Sequence, residues 1–156
     1  VIIGIDPGLA NTGFGMIKGS RYAGYGIIIT PSDEPLHTRL RMLFENLTEV
    51  LDKFQPDELS IERLFFSRNV SSAIEVSHAR GVVLLAASEH DLDVFEYTPN
   101  QVKKAVTGSG RADKKQVQKM VKMMLKIDCD IPDDTADALA IALCHAHSNV
   151  SGKGKP

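Results

Sequence analysis

At 156 residues, with 43% hydrophobic and 24% charged side chains, the sequence has the size and balance of one core-forming domain, not of a disordered chain. Eighteen basic against 20 acidic residues leave a net charge of −2, which excludes the strongly basic domain of the simplest nucleic-acid binders. Fully apolar runs such as Val82 to Ala87 and Ala138 to Cys144 are far shorter than the roughly 18–20 residues that cross a bilayer, so no membrane association is expected.

No secretory signal is legible, since the sequence begins inside an apolar run without a basic leader, and a few native residues are expected to precede Val1. Cys129 and Cys144 are too few for a disulfide framework and lack zinc spacing. They read as reduced, partly buried thiols of a cytoplasmic protein.

Val1 to Asp6 reads as a strand that stops at Asp6-Pro7-Gly8. Gly13 to Lys18 and Tyr22 to Thr30 read as two more, with Lys18 to Arg21 as the turn. Such short connections demand an antiparallel meander, because a parallel pair needs a crossover of about a dozen residues. Leu40, Leu43, Phe44, Leu47, Val50, Leu51 and Phe54 recur at helical spacing, which predicts a helix from His37 to Phe54.

A strand from Glu58 to Leu64, a helix from Val70 to Glu89 and a strand from Asp93 to Tyr97 follow. Pro99 opens a short helix to Val106, and Asp113 to Lys126 and Asp134 to His147 are the last two. The β-β-β-α-β-α-β-α-α order predicts an α/β fold. Its five-stranded mixed sheet would have three antiparallel strands, then two parallel ones, and helices on both faces. Residues 1–150 would form one domain, with 151–156 a short polar tail.

Carboxylates recur at three distant places. Asp6 ends the first strand, where Asp-Pro-Gly is also an ordinary turn. Glu62 shares a strand face with Ser60 and Leu64 in a strand expected to be covered on both sides, where an unpaired charge is costly. Asp133, Asp134 and Asp137 open the last helix. Capping explains Asp133 or Asp134, but Asp137 lies one turn on, on a face continued by Ile141 among Ala136, Ala138, Ala140 and Ala142. A helix so rich in alanine can lie close against a sheet.

If these groups meet within about 4 Å, each pair repels by roughly 4 kcal/mol at an effective dielectric near 20, so the cluster needs a cation. Oxygen-only ligation suits Mg²⁺, with Mn²⁺ as a substitute. Two ions about 3.5–4 Å apart would activate a water and stabilise the leaving oxygen of a phosphodiester. The five histidines make no convincing metal site, His145 and His147 facing different ways and His37, His78 and His90 being isolated.

The chain resembles the RuvC family of Holliday-junction resolvases, which have an RNase H-like fold. The resemblance runs through Ile3-Gly4-Ile5-Asp6-Pro7-Gly8, Thr12-Gly13-Phe14-Gly15 and Ile61-Glu62-Arg63-Leu64-Phe65. It continues through Ala79-Arg80-Gly81, Gln101-Val102-Lys103 and Ala136-Asp137-Ala138-Leu139-Ala140-Ile141-Ala142. It implies that Asp6, Glu62, Asp134 and Asp137 are the catalytic, metal-binding carboxylates, holding two Mg²⁺ per active site. It also implies a four-way DNA junction as substrate, a homodimer, and the branch-migration proteins RuvA and RuvB as partners.

Charge is distributed unevenly. Gln101 to Lys126 holds eight basic residues (Lys103, Lys104, Arg111, Lys114, Lys115, Lys119, Lys122 and Lys126) and one acid, Asp113; the remainder carries −9. Lys115, Lys119, Lys122 and Lys126 form one helical stripe with no acid beside it in the segment, which favours phosphate contact over a solvated face. By resemblance Lys103 and Lys114 stand near the cleavage site, and the Thr107-to-Ala112 loop lets Arg111 and Lys114 close on the DNA backbone. The resemblance also places Phe65 at the branch point as a wedge or stacking platform, with Arg68 and Asn69 beside it. The all-round apolar Val82-to-Ala87 run suits a helix also covered by a second subunit.

Two other functions fit parts of the pattern. Gly4-Ile5-Asp6-Pro7-Gly8 also suits the phosphate loop of an actin- or sugar-kinase-type ATP-binding protein, but such proteins need two lobes and the sequence holds one. A junction-binding module without catalysis is opposed by the complete carboxylate set.

Overall fold

The computed structural model describes residues 1–64 and 70–151, with the side chains of 149–151 left aside. In chain order it contains β1 (Ile2–Asp6), β2 (Asn11–Lys18), β3 (Arg21–Ile29), α1 (Leu36–Phe54), β4 (Glu58–Glu62) and α2 (Val70–Glu89). Then come β5 (Asp93–Tyr97), α3 (Pro99–Thr107), α4 (Lys114–Leu125) and α5 (Asp133–Ser151). Every expected element is present. β2 starts two residues early, and β4 stops at Glu62 instead of Leu64.

The five strands form one sheet in the order β3-β2-β1-β4-β5. β1 pairs antiparallel with β2 (Gly4 opposite Gly15, Asp6 opposite Gly13) and parallel with β4 (Gly4 beside Ser60, Ile5 beside Ile61). β4 continues parallel to β5, with Glu62 beside Tyr97. The meander and the two crossovers are therefore as the connection lengths dictate.

Alternation along the strands sends side chains to two layers. Ile3, Ile5, Phe14, Met16, Leu59 and Ile61 pack with Leu43, Leu47 and Leu51 of α1 and Ala79, Val83, Ala86 and Ala87 of α2. The other layer holds Ile17 with Val102 and Val106 of α3, Val117, Val121 and Leu125 of α4, and Leu139 to Cys144 of α5. Helices cover both faces.

Local signals set the helix ends. Thr98 and Gln101 form a reciprocal capping box at the start of α3, and Asp113 and Gln116 form another at α4. Gly108, at φ 79°, closes α3 in the left-handed conformation.

Among the described residues α2 is long and apolar enough to cross a membrane by length and composition, a test that core helices also pass. It packs on the sheet through Ala79, Val83, Ala86 and Ala87 and carries Arg80 inward. One sequence expectation needs correcting. Cys129 is exposed, not partly buried; Cys144 is buried, which pushes its thiol up to about 11.

Candidate active site

Asp6 is the last residue of β1, and its side chain faces the α5 layer along with Gly4. The distance between that layer and the sheet is set by glycine. A methyl group built on Gly4 would sit 2.0 Å from the Ala138 carbonyl oxygen, and one on Gly13 would sit 2.1 Å from that of Asp134. Gly13 is the cross-strand neighbour of Asp6, so the first turn of α5 rests directly beside the Asp6 carboxylate. One carboxylate oxygen each of Asp6, Asp134 and Asp137 lie within 4.8 Å of one another.

Glu62 ends β4 on the same sheet face and stands beside this triad, not in it. It lines a cleft of about 300 Å³ with Lys103, Lys114 and Asp137, floored by Val102, Val117, Ala140 and Ile141. It also lines a crevice of about 250 Å³ with Asp6, Pro7 and Arg80. The Lys114 amine lies 3.1 Å from Asp137 Oδ2.

Electrostatics records the crowding. Asp6 is pushed up to about 7, first by burial and then by Asp137, Asp134 and Glu62, with Lys114 pulling the other way. Burial and Asp137 raise Glu62, against Lys103. Burial also raises Asp137 even though Lys114 holds it down, and the bond to Asp137 raises Lys114 in turn. Carboxylates held together at this cost fit a hard divalent cation, because a cation of two charges offsets both the repulsion and the lost hydration. The donor set is all oxygen, the chemistry of a hard divalent cation and not of zinc's nitrogen and sulfur sites.

The other expected site residues divide by place. Lys103 and Lys114 flank the cleft, whereas Lys104 is exposed on α3. Arg111 does not line the carboxylate cleft; it lies with Lys119 in a separate groove of about 500 Å³. Lys115, Lys119, Lys122 and Lys126 line a broad groove of about 1010 Å³ along α4. That stripe is not free of acids: Asp128, Asp130 and Asp133 share the groove, and Lys122 Nζ lies 3.1 Å from Asp130. Those aspartates follow α4 in sequence, so a charge count ending at Lys126 misses them. Phe65, Arg68 and Asn69 lie outside the described residues.

Sequence reasoning missed a polar trio of Glu58, Tyr97 and His145. His145 is fully buried, with Nδ1 2.6 Å from the Tyr97 hydroxyl, Nε2 2.9 Å from Glu58 Oε2, and its ring stacked on Phe95 at 4.3 Å. His145 sits two helical turns beyond Asp137 and Glu58 two alternations before Glu62, so this spacing was the available signal. His90 is likewise not isolated, since its Nε2 lies 3.0 Å from Asp52.

Comparison with known proteins settles the family. The family model described as crossover junction endodeoxyribonuclease RuvC matches residues 2–145. The RuvC endodeoxyribonuclease of Alkaliphilus metalliredigens is 50% identical over 95% of this chain and 93% of its own length. This chain belongs to the RuvC family. That of Desulfitobacterium hafniense is 52% identical over the same shares of each. Thermus thermophilus RuvC, solved in complex with a Holliday junction substrate, superposes with a TM-score of 0.90 at 38% identity, covering 99% of this chain and 98% of that one. The yeast mitochondrial Holliday junction resolvase shares the fold, with a TM-score of 0.66 at 13% identity over 96% of this chain and 80% of that one. The fold is RNase H-like, and the chain is an endodeoxyribonuclease of this family.

Proposed function

We propose that the chain resolves four-way DNA junctions by symmetric paired nicks, with Asp6, Glu62, Asp134 and Asp137 holding two Mg²⁺ ions that Mn²⁺ can replace. The observation that carries this reading is the convergence of Asp6 with Asp134 and Asp137, whose oxygens gather within 4.8 Å although over 120 residues separate them in sequence. When bound, the metals supply Lewis acidity and a nucleophilic water at neutral pH.

The remaining work belongs to side chains. Asp6, at the strand end, and Asp137, one helical turn beyond Asp134, fix the ligand oxygens on rigid elements. Lys103 and Lys114 stand on either side of the cleft, where they can draw in a phosphate and offset its charge. Lys104, Arg111, Lys115, Lys119 and Lys122 would contact phosphates further along the DNA, with Phe65, Arg68 and Asn69 at the branch point.

A junction with two-fold symmetry calls for two active sites, and a C2 homodimer would supply them. Val70, Ile74 and Leu85 on α2 are 60%, 51% and 54% exposed, an apolar face that a second copy would cover. Residues 1–150 act as one nuclease domain; Ser151, expected to begin a tail, still belongs to α5, and 152–156 lie outside the described residues. Family membership supports RuvA and RuvB as partners and the cytoplasm as the place of action.

The test is Asp6→Asn, assayed on a mobile four-way junction and a linear duplex with and without Mg²⁺. Cleavage should fall by about a thousandfold, several kcal/mol of lost charge stabilisation, while junction binding stays within about twofold. Wild-type nicking by this variant in Mg²⁺ would reject the metal assignment.

A further inference from the structure

β4 ends at Glu62 with an unusual hydrogen-bonding problem. In a strand, one residue's C=O and the next residue's N–H point to opposite sides. The Arg63 N–H donates to the Tyr97 carbonyl of β5 at 2.7 Å, so the Glu62 carbonyl points the other way, toward β1. Continuing the parallel register one step past Ile5 and Ile61 sets Glu62 beside Asp6, and the ladder donor for its carbonyl is then the nitrogen of residue 7. That residue is Pro7, which has no N–H. The turn that ends β1 at one carboxylate therefore removes the backbone partner of the other.

Arg80 takes the vacant bond. Its Nη1 donates to the Glu62 carbonyl oxygen at 2.6 Å, and its Nη2 lies 2.6 Å from Glu96 Oε1 on β5. The guanidinium side chain is only 12% exposed. It comes from α2, on the opposite face of the sheet from α5, and reaches across the ends of the strands. Glu96 is also approached by Arg63 Nε at 3.6 Å. A planar fork can satisfy the carbonyl and the carboxylate together, which an ammonium cannot do with the same geometry.

We infer that Arg80 is a positioning residue for Glu62: it replaces the backbone donor that Pro7 lacks and, anchored by Glu96, holds the end of β4 where the Glu62 carboxylate lines the clefts it shares with Asp6 and Asp137. This rests on the reading of Glu62 as a metal-binding carboxylate. Arg80 touches no reacting atom. It sits on the same helix as the exposed Val70, Ile74 and Leu85, so a subunit docked on α2 would also be linked to Glu62 through it.

The experiment compares Arg80→Met, Glu96→Gln, Glu62→Gln and the double variant Arg80→Met with Pro7→Ala, all in the full chain. Junction affinity, kcat, KM and the Mn²⁺ dissociation constant of the DNA-free protein (read by electron paramagnetic resonance) are measured for each. Arg80→Met should lower kcat by about 10- to 100-fold and weaken Mn²⁺ binding, with junction affinity and KM within about twofold. Pro7→Ala restores an N–H opposite the Glu62 carbonyl and should recover part of that loss. Glu96→Gln keeps the carbonyl bond but loosens its anchor, so its effect should be smaller and in the same direction; it also serves if Arg80→Met folds poorly.

Wild-type kcat and Mn²⁺ affinity in a folded Arg80→Met protein, while Glu62→Gln is inactive, would overturn the inference alone. Wild-type activity in Glu62→Gln would instead overturn the reading of the site on which it rests.

Discussion

Ile3, Ile5, Leu59 and Ile61 point from β1 and β4 into the layer of α1 and α2, whereas Gly4, Asp6, Ser60 and Glu62, alternating with them on the same strands, point toward α5. The first face is filled by large apolar side chains and is a core. The second is stripped to glycine and serine along its middle, so a helix backbone can come near enough for its own aspartates to reach Asp6. A one-residue alternation thus separates a face of large apolar side chains from the face that carries the acidic cluster. The face toward α5 gives up side-chain volume at Gly4 and Ser60 and gathers crowded charge.

Changes that attack each face in turn should expose that division. Gly4→Val is expected to be the most severe, since even its Cβ would lie 2.0 Å from the Ala138 carbonyl and the helix must move away. A loss of about 3 kcal/mol or more in urea unfolding, together with lost cleavage, is the expected outcome. Stability and activity both at the wild-type level would mean that α5 does not lie this close.

Leu59→Ala, on the opposite face, should cost a similar but purely structural amount, about 3 kcal/mol. Its cleavage rate per folded molecule, measured well below the melting temperature, should stay within about threefold. A much larger loss of rate would show that the two faces are not separable.

Asp6→Asn reveals the cost of the charge cluster. In the folded protein without metal, Asp6 titrates near 7 against 3.8 in its ordinary state. Between those values the folded form binds more protons than the unfolded one, so the group's contribution to stability falls as pH rises from about 4 to 7 and stays low above. At pH 8 without divalent cations, Asp6→Asn should therefore melt a few degrees above wild type, with about 1 kcal/mol corresponding to about 2–4 °C at this size. Adding Mg²⁺ should raise the wild type and close the gap. Calorimetry that ranks the variant below wild type under metal-free conditions would count against the crowding.

The smallest effect concerns Lys114, whose amine occupies Asp137 at 3.1 Å. This half-exposed pair competes with a cation for the same carboxylate. Lys114→Met should strengthen Mn²⁺ binding to the DNA-free protein by about two- to fivefold, the range of a partly exposed ion pair, while weakening cleavage. Titration calorimetry showing weaker metal binding would assign the lysine to the support of the site.

Much of this was legible because it depends on residues near one another in the chain. Alternation in Leu59 to Glu62 assigned each side chain its face, the alanines around Asp137 marked a helix built for close approach, and the short connections dictated the meander. The role of Gly4 and Gly13 was not legible in the same way: each reads as an ordinary strand glycine until α5, some 120 residues later, is laid against it. The stripe of lysines on α4 showed the reverse failure, since a sequence window gave it no acid and the following turn supplies Asp130.

Residue order and spacing alone were thus enough for the order of strands and helices and for acidic side chains recurring at three distant places, while the choice of Asp6, Glu62, Asp134 and Asp137 among them came from the family resemblance. Folding in three dimensions decided how near those acids come, that Lys114 rests on one of them, and that Arg80 supports another through its backbone. The physical reason is range. Backbone geometry and periodicity act over a few residues and can be read along a line. Repulsion, desolvation and a missing hydrogen-bond donor act over a few ångströms between groups that only the tertiary fold makes neighbours.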